Sequence, residues 1–185
     1  MTLFEYLTTA VSIVLALAVV RLVEGLRPAF APERRFWVHW GWVIGKIVSC
    51  LVFWWILWGV REQVAWNFPY FAFVFIGPII IYVQASLLVP QGGNVASWRE
   101  HFLGVHRPFY VAQVLYLLHI VAIPRLMGVA PTGASTPMAQ ITIGLGLLAS
   151  VVGALFAGVR VQQGVALILF ALVALGATNL FFNPS

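Results

Sequence analysis

The chain has 185 residues, 62% of them hydrophobic and only 8% charged, with a mean hydropathy of +1.00. Globular proteins carry about a quarter charged residues, so this composition excludes a water-soluble surface. It predicts an all-α, polytopic membrane helix bundle built as a single integral domain over 1–185. The formal net charge is +5, with five glutamates and no aspartate. The basic residues flank apolar runs instead of clustering, so they act as topology signals and do not form a nucleic-acid-binding patch.

A hydrocarbon core about 30 Å thick needs roughly 20 apolar residues per helix. Six segments meet that length: 3–23, 36–60, 68–89, 108–127, 137–158 and 163–182. The first basic residue, Arg21, comes only after the apolar stretch that fills most of the first run, so this run reads as an uncleaved helix and not as a signal peptide. The fourth run is the least apolar because it holds His119 and Pro124. The fifth and sixth are separated by a few residues around Arg160, which predicts a tight antiparallel hairpin. Loops one, three and five carry Arg21, Arg27, Arg34, Arg35, Arg99, Arg107 and Arg160, whereas the other side has only Arg61 and Arg125. Seven against two puts both termini outside and the odd loops in the cytoplasm.

Several boundaries have local signals. Pro108 and Pro137 suit first helical positions, and Thr136 suits a cap before the latter. In "SWREHFLGVHRPF", Ser97 and Glu100 have capping-box spacing. Trp98, Phe102 and Val105 then share a face opposite Arg99, Glu100 and His106, which predicts a short cytoplasmic helix near 98–106 lying on the membrane surface.

The segments "LFEYLTTAVSIVLALAVVRLVEGL" and "WREHFLGVHRPFYV" resemble a widespread group of small bacterial inner-membrane proteins. The similarity covers about the first two-thirds of the chain. It implies a bacterial inner-membrane location and brings no activity with it.

The second span holds the only lysine, Lys46, and the only cysteine, Cys50. A single cysteine forms no internal disulfide, and Cys50 is most simply a small buried hydrophobe. Six of the eight tryptophans lie in this span, in two clusters: Trp37, Trp40 and Trp42, then Trp54, Trp55 and Trp58. Trp40 and Trp55 are about 22 Å apart along a helix, which fits two interfacial belts with Lys46 near the midplane. At 100° per residue Arg35, His39, Trp42, Val43, Lys46, Cys50, Phe53 and Leu57 form one stripe. Gly41, Gly45 and Ser49 form another, whose small-xxx-small spacing favours close helix packing. Gly146, Ser150 and Gly153 provide a similar face on the fifth span and favour association into an oligomer.

A charged lysine at the bilayer centre costs about 2.5–3.5 kcal/mol. It can snorkel, release its proton, or face a polar cavity with acceptors. Neither Glu5 nor Glu24, near the two ends of the first span, lies at its depth. Pro78 in the third span cannot donate to the carbonyl of Val74, so a kink at Gly77-Pro78 is expected to offer acceptors near Lys46. His119 lies near the midplane of the fourth span, with Tyr116 three residues earlier. The expected constellation is Lys46, His119, Tyr116 and the backbone at Pro78, with His39 and Gln84 leading towards the cytoplasm. Intramembrane ionisable groups mark ion pathways, so the expectation is a channel or transporter-like protein moving protons or a small anion. The alternative is an accessory or scaffold subunit of a larger membrane complex, with the polar groups serving assembly.

Other chemistries have less support. His39 and His119 differ in depth by about 12 Å, which argues against a haem between them. His101 and His106 do not share a helical face, so no metal site is expected. A retinal Schiff base at Lys46 lacks a carboxylate counter-ion. No nucleophile–base pair, phosphate loop or acidic pair points to an enzyme. No cofactor is expected, and the partners are the lipid bilayer and further copies or subunits.

Overall fold

The computed structural model describes residues 2–29, 36–59, 61, 65–92, 95–128 and 137–182, with side-chain surroundings for all of these except 27–29, 59, 124, 137–139 and 176–182. Arg34, Arg35 and Thr136 lie outside the described residues. The described chain is all-helical, with six helices: α1 (Leu3–Ala29), α2 (Trp37–Gly59), α3 (Phe68–Leu88), α4 (Trp98–Met127), α5 (Pro137–Leu155) and α6 (Val159–Phe182).

Local chemistry sets several starts. Thr2 and Glu5 exchange side-chain-to-backbone hydrogen bonds of 2.8 and 3.2 Å, a reciprocal capping box before α1. Asn67 Oδ1 accepts from the Tyr70 amide at 3.0 Å ahead of α3. Ser97 Oγ accepts from the Glu100 amide at 3.3 Å ahead of α4. The short connection expected between α5 and α6 is present, but it is the three residues 156–158, earlier than expected, and Arg160 lies in the first turn of α6. There Gln162 Nε2 donates to the carbonyls of Gly153 and Phe156 at 2.8 and 2.6 Å, binding the end of α5 to the start of α6.

α1, α2 and α3 pack mutually, α4 joins α3 to α5, and α6 closes back on α5 and α2. The distribution of polarity is that of a membrane protein. Large apolar side chains such as Ile13, Leu17, Leu51, Ile79, Leu115, Leu148 and Leu167 lie on the outside, while His39, Lys46, Gln84, Gln113, His119, Ser150 and Gln162 are buried. Soluble monomers rarely expose so continuous an apolar surface. Among the described residues, α1 to α4 contain stretches long and apolar enough to cross a membrane, whereas the apolar segments of α5 and α6, Gln140–Leu155 and Val159–Leu175, are shorter.

The region near 98–106 corrects the expectation of a separate surface helix, because it is the first part of a continuous 30-residue α4. Pro108 lies inside this helix and does not start one. Its missing amide strands only the carbonyl of Gly104, on a side where Gly104, Arg107 and Pro108 are all exposed. The apolar stripe has a different partner from the one expected: Trp98 and Phe102 are wholly buried, against His39 and Phe36 of the bundle. Pro78 likewise sits inside a continuous α3.

Small residues permit the close approaches. A Cβ on Gly153 would lie 2.7 Å from the Tyr110 ring, one on Gly41 2.7 Å from Phe170, and one on Gly45 in ordinary contact with the same ring. Gly25 fits against Val89 in the same way. Gly146 faces Leu117 and Leu169, and Ser150 and Ser49 return their hydroxyls to the carbonyls of Gly146 and Gly45 at 2.7 and 2.9 Å. The small face of α5 is therefore filled by α4 and α6 of the same chain. Replacing Gly153 with valine is expected to lower stability by about 1–3 kcal/mol through overpacking. Gly104→Ala, with nothing within 4 Å of the added carbon, should leave stability unchanged or raise it slightly. Thermal unfolding in mild detergent reads both.

Candidate functional site

The inner face of α2 organises the site. His39, Trp42, Val43, Lys46, Cys50, Phe53 and Leu57 are all buried, as the helical stripe predicts, and Arg35 falls outside the described residues. His39, Lys46 and Phe53 recur every seven residues, about 10 Å apart. Each anchors one layer of the interior.

Lys46 defines the central layer. The residue is 1% exposed. Its Nζ donates to Gln84 Oε1 of α3 at 2.9 Å and to Gln113 Oε1 of α4. Gln84 Nε2 in turn donates to Gln113 Oε1 at 2.9 Å, closing a three-membered polar network. Aromatic rings complete the surroundings: Nζ lies 5.2 Å from the Tyr116 centroid, 5.7 Å from Trp42 and 5.8 Å from Phe109. Such distances allow ring quadrupoles to attract the ammonium, at roughly 0.5–2 kcal/mol each. No carboxylate among the described residues is bonded to Lys46. The ammonium is held by neutral acceptors.

The acceptor expected at Gly77-Pro78 is not the one Lys46 uses. Side chains on a helix lean towards its N-terminus. Nζ is therefore displaced towards the N-terminus of α2, beside the Trp42 ring and within bonding distance of Gln84. Gln84 is accordingly a direct partner of Lys46 and not a step beyond it. Gln113 is a partner that sequence reasoning missed. Its signal was present, since Phe109, Gln113 and Tyr116 share one face of α4 at helical spacing.

His119 forms the inner layer on the Phe53 side, away from Lys46. Its imidazole faces the carbonyl of Val74, the acceptor that Pro78 leaves without an amide. It also packs 4.7 Å from the Phe73 ring. A Cβ on Gly77 would meet Phe53 at 2.5 Å and His119 Nε2 at 3.0 Å, so glycine is needed for this helix contact.

His39 forms the opposite layer. Its ring stacks on Trp98 at 4.3 Å and meets His101 edge-on at 6.2 Å. His101 Nε2 lies 3.0 and 3.1 Å from the carbonyls of Leu87 and Leu88. Those carbonyls only accept, so Nε2 carries a hydrogen and fastens the start of α4 to the end of α3.

Trp42 corrects its expected place in an interfacial belt. It is buried between Phe109, Tyr110 and Phe170, because the inner stripe of α2 includes it. Trp55 and Trp58 face outward, and Arg61 lies 4.3 Å over the Trp58 ring. Among the described residues, both nitrogens of His39, His119 Nε2 and Gln162 Oε1 are buried without a hydrogen-bond partner. Among the described residues no group of three metal-ligating side chains occurs.

These features define a class: a helical membrane protein with an apolar exterior and a layered polar interior centred on a buried lysine. Comparison with family models, curated proteins and solved structures finds no match for the chain.

Hydrogen bonds to charged groups contribute about 1.5–3 kcal/mol, so Gln113→Leu should destabilise the protein by about that amount. The Lys46→Met, Gln113→Leu double variant should lose less than the sum of the single losses. A coupling of at least about 0.5 kcal/mol in a thermal or denaturant double-mutant cycle is the expected result.

Proposed function

We propose that this chain is a multi-pass protein of a bacterial inner membrane that moves protons through a polar column centred on Lys46. In this reading the chain crosses six times, with both termini extracytoplasmic. The seven-to-two division of arginines supports that topology. The observation that carries the reading is the bonding of a buried lysine to two glutamine amides and, among the described residues, to no acid. A carboxylate partner would hold the proton in an ion pair. An amide both donates and accepts, so a rotated glutamine can serve the neutral amine as well as the ammonium. Proton uptake and release at Lys46 then require only side-chain reorientation.

Two further features support the column. His39 and His119, in the flanking layers, both keep unpartnered nitrogens, and histidine both takes and gives protons. Buried polar atoms normally find partners, so unpaired ones on either side of the lysine suit a mobile partner such as water. The amide oxygens around Nζ carry partial negative charge. That favours the proton over the anion as the species moved.

A second reading, an accessory or scaffold subunit, rests on a specific observation. The same Lys46 network ties α2, α3 and α4 together in a sealed core, which suffices for a purely structural role.

Proteoliposomes separate the two. Wild-type protein should acidify its lumen under a proton gradient faster than empty liposomes, and Lys46→Met should reduce the rate to the empty-liposome level. Equal rates for both proteins, or none above background, would favour the scaffold. Topology is checked with single cysteines in a Cys50→Ala background: Asn67→Cys should react with an impermeant maleimide on intact spheroplasts, whereas Ser97→Cys should react only after permeabilisation.

A further inference from the structure

We propose that the pocket around Lys46 Nζ is a recognition site for a primary alkylammonium cation, with the lysine side chain as its tethered ligand. This goes beyond the proton reading and does not depend on it, since the site selects for charge whether or not the proton moves.

The geometry carries the inference. Two amide oxygens from different helices converge on one nitrogen. Three rings, Trp42 from α2 and Phe109 and Tyr116 from α4, place their centroids 5.2–5.8 Å from it. Such a set matches a compact cation on an alkyl stem: the rings attract positive charge, and the oxygens accept its hydrogens. A neutral guest of the same shape gains the apolar contacts without the attraction to the ring faces. The lysine stem is itself buried, so its removal leaves a cavity lined by the same groups.

Lys46→Ala deletes Cγ, Cδ, Cε and Nζ, the heavy atoms of n-propylamine. At neutral pH this amine is almost wholly charged. In mild detergent, n-propylammonium should therefore raise the melting temperature of Lys46→Ala by about 4 °C or more at saturation, by binding the native state only. Equal concentrations of n-propanol should give less than half that shift. Lys46→Met, whose side chain fills the same space, should not respond, nor should Lys46→Ala combined with Gln113→Leu. If Lys46→Ala does not survive extraction alone, recovery of monodisperse protein is compared with amine or alcohol present throughout. Higher recovery with the amine supports the site. Equal stabilisation by amine and alcohol would reduce the pocket to an apolar cavity and overturn the proposal, as would the absence of any effect of the amine. The flux assay above is a separate readout, so either idea can fail without the other.

Discussion

The structure turns on one buried ammonium group to which, among the described residues, no carboxylate is bonded. Moving a lysine to the bilayer centre costs about 2.5–3.5 kcal/mol. Two charge-assisted hydrogen bonds, each about 1.5–3 kcal/mol, are of the size needed to offset that cost, and three ring faces add to them. Because the acceptors come from α3 and α4, the electrostatic requirement of one residue on α2 fixes the relative positions of three helices. Glutamine does this without an opposite charge. A buried ion pair would have desolvated a second charge and bound the proton more firmly.

The rest of the bundle accommodates this central layer. Gly77 lets α3 come close enough for His119 and Phe53 to pack beneath the lysine. Gly41 and Gly45 seat Phe170 of α6, whose ring meets Trp42 edge-on at 5.2 Å. Gly153 admits the Tyr110 ring, so α5 closes on α4. Dispersion and close packing hold helices together where lipid removes the hydrophobic drive between them. The small residues therefore matter most where large aromatic side chains fill the interior.

Much of the fold was legible because helix periodicity is strong in apolar segments. The inner stripe of α2 from His39 to Leu57, the short connection between α5 and α6 and the cap at Ser97 all follow from local spacing. The misreadings have physical causes. Pro108 looked like a helix start because proline normally ends the preceding run. The stranded carbonyl of Gly104 faces outward, however, and buried Trp98 and Phe102 hold the earlier turns in line. Trp42 looked like an interfacial anchor because it clusters with Trp37 and Trp40 near one end of α2, although its place on the stripe with Lys46 already turned it inward. Partners of Lys46 were sought at the depth of its Cα, whereas a helical side chain leans towards the N-terminus and carries its charge that way. That lean brings Lys46 to Gln84 and Gln113 instead of to the backbone at Pro78. Which helices are neighbours, and so which polar side chains meet, depends on tertiary packing that no single helix encodes.

The chain contains one lysine, so protein labelled with ¹⁵N only at lysine Nζ gives one side-chain signal. Nuclear magnetic resonance of that nitrogen and its protons tests most directly whether an ammonium is held by neutral amides and rings. The protons should exchange slowly with water, shift upfield through the ring currents of Trp42, Phe109 and Tyr116, and show cross-relaxation to the side-chain amide protons of Gln84 and Gln113. A rapidly exchanging, unshifted signal would contradict this account, because it would place Lys46 in water or at the lipid headgroups.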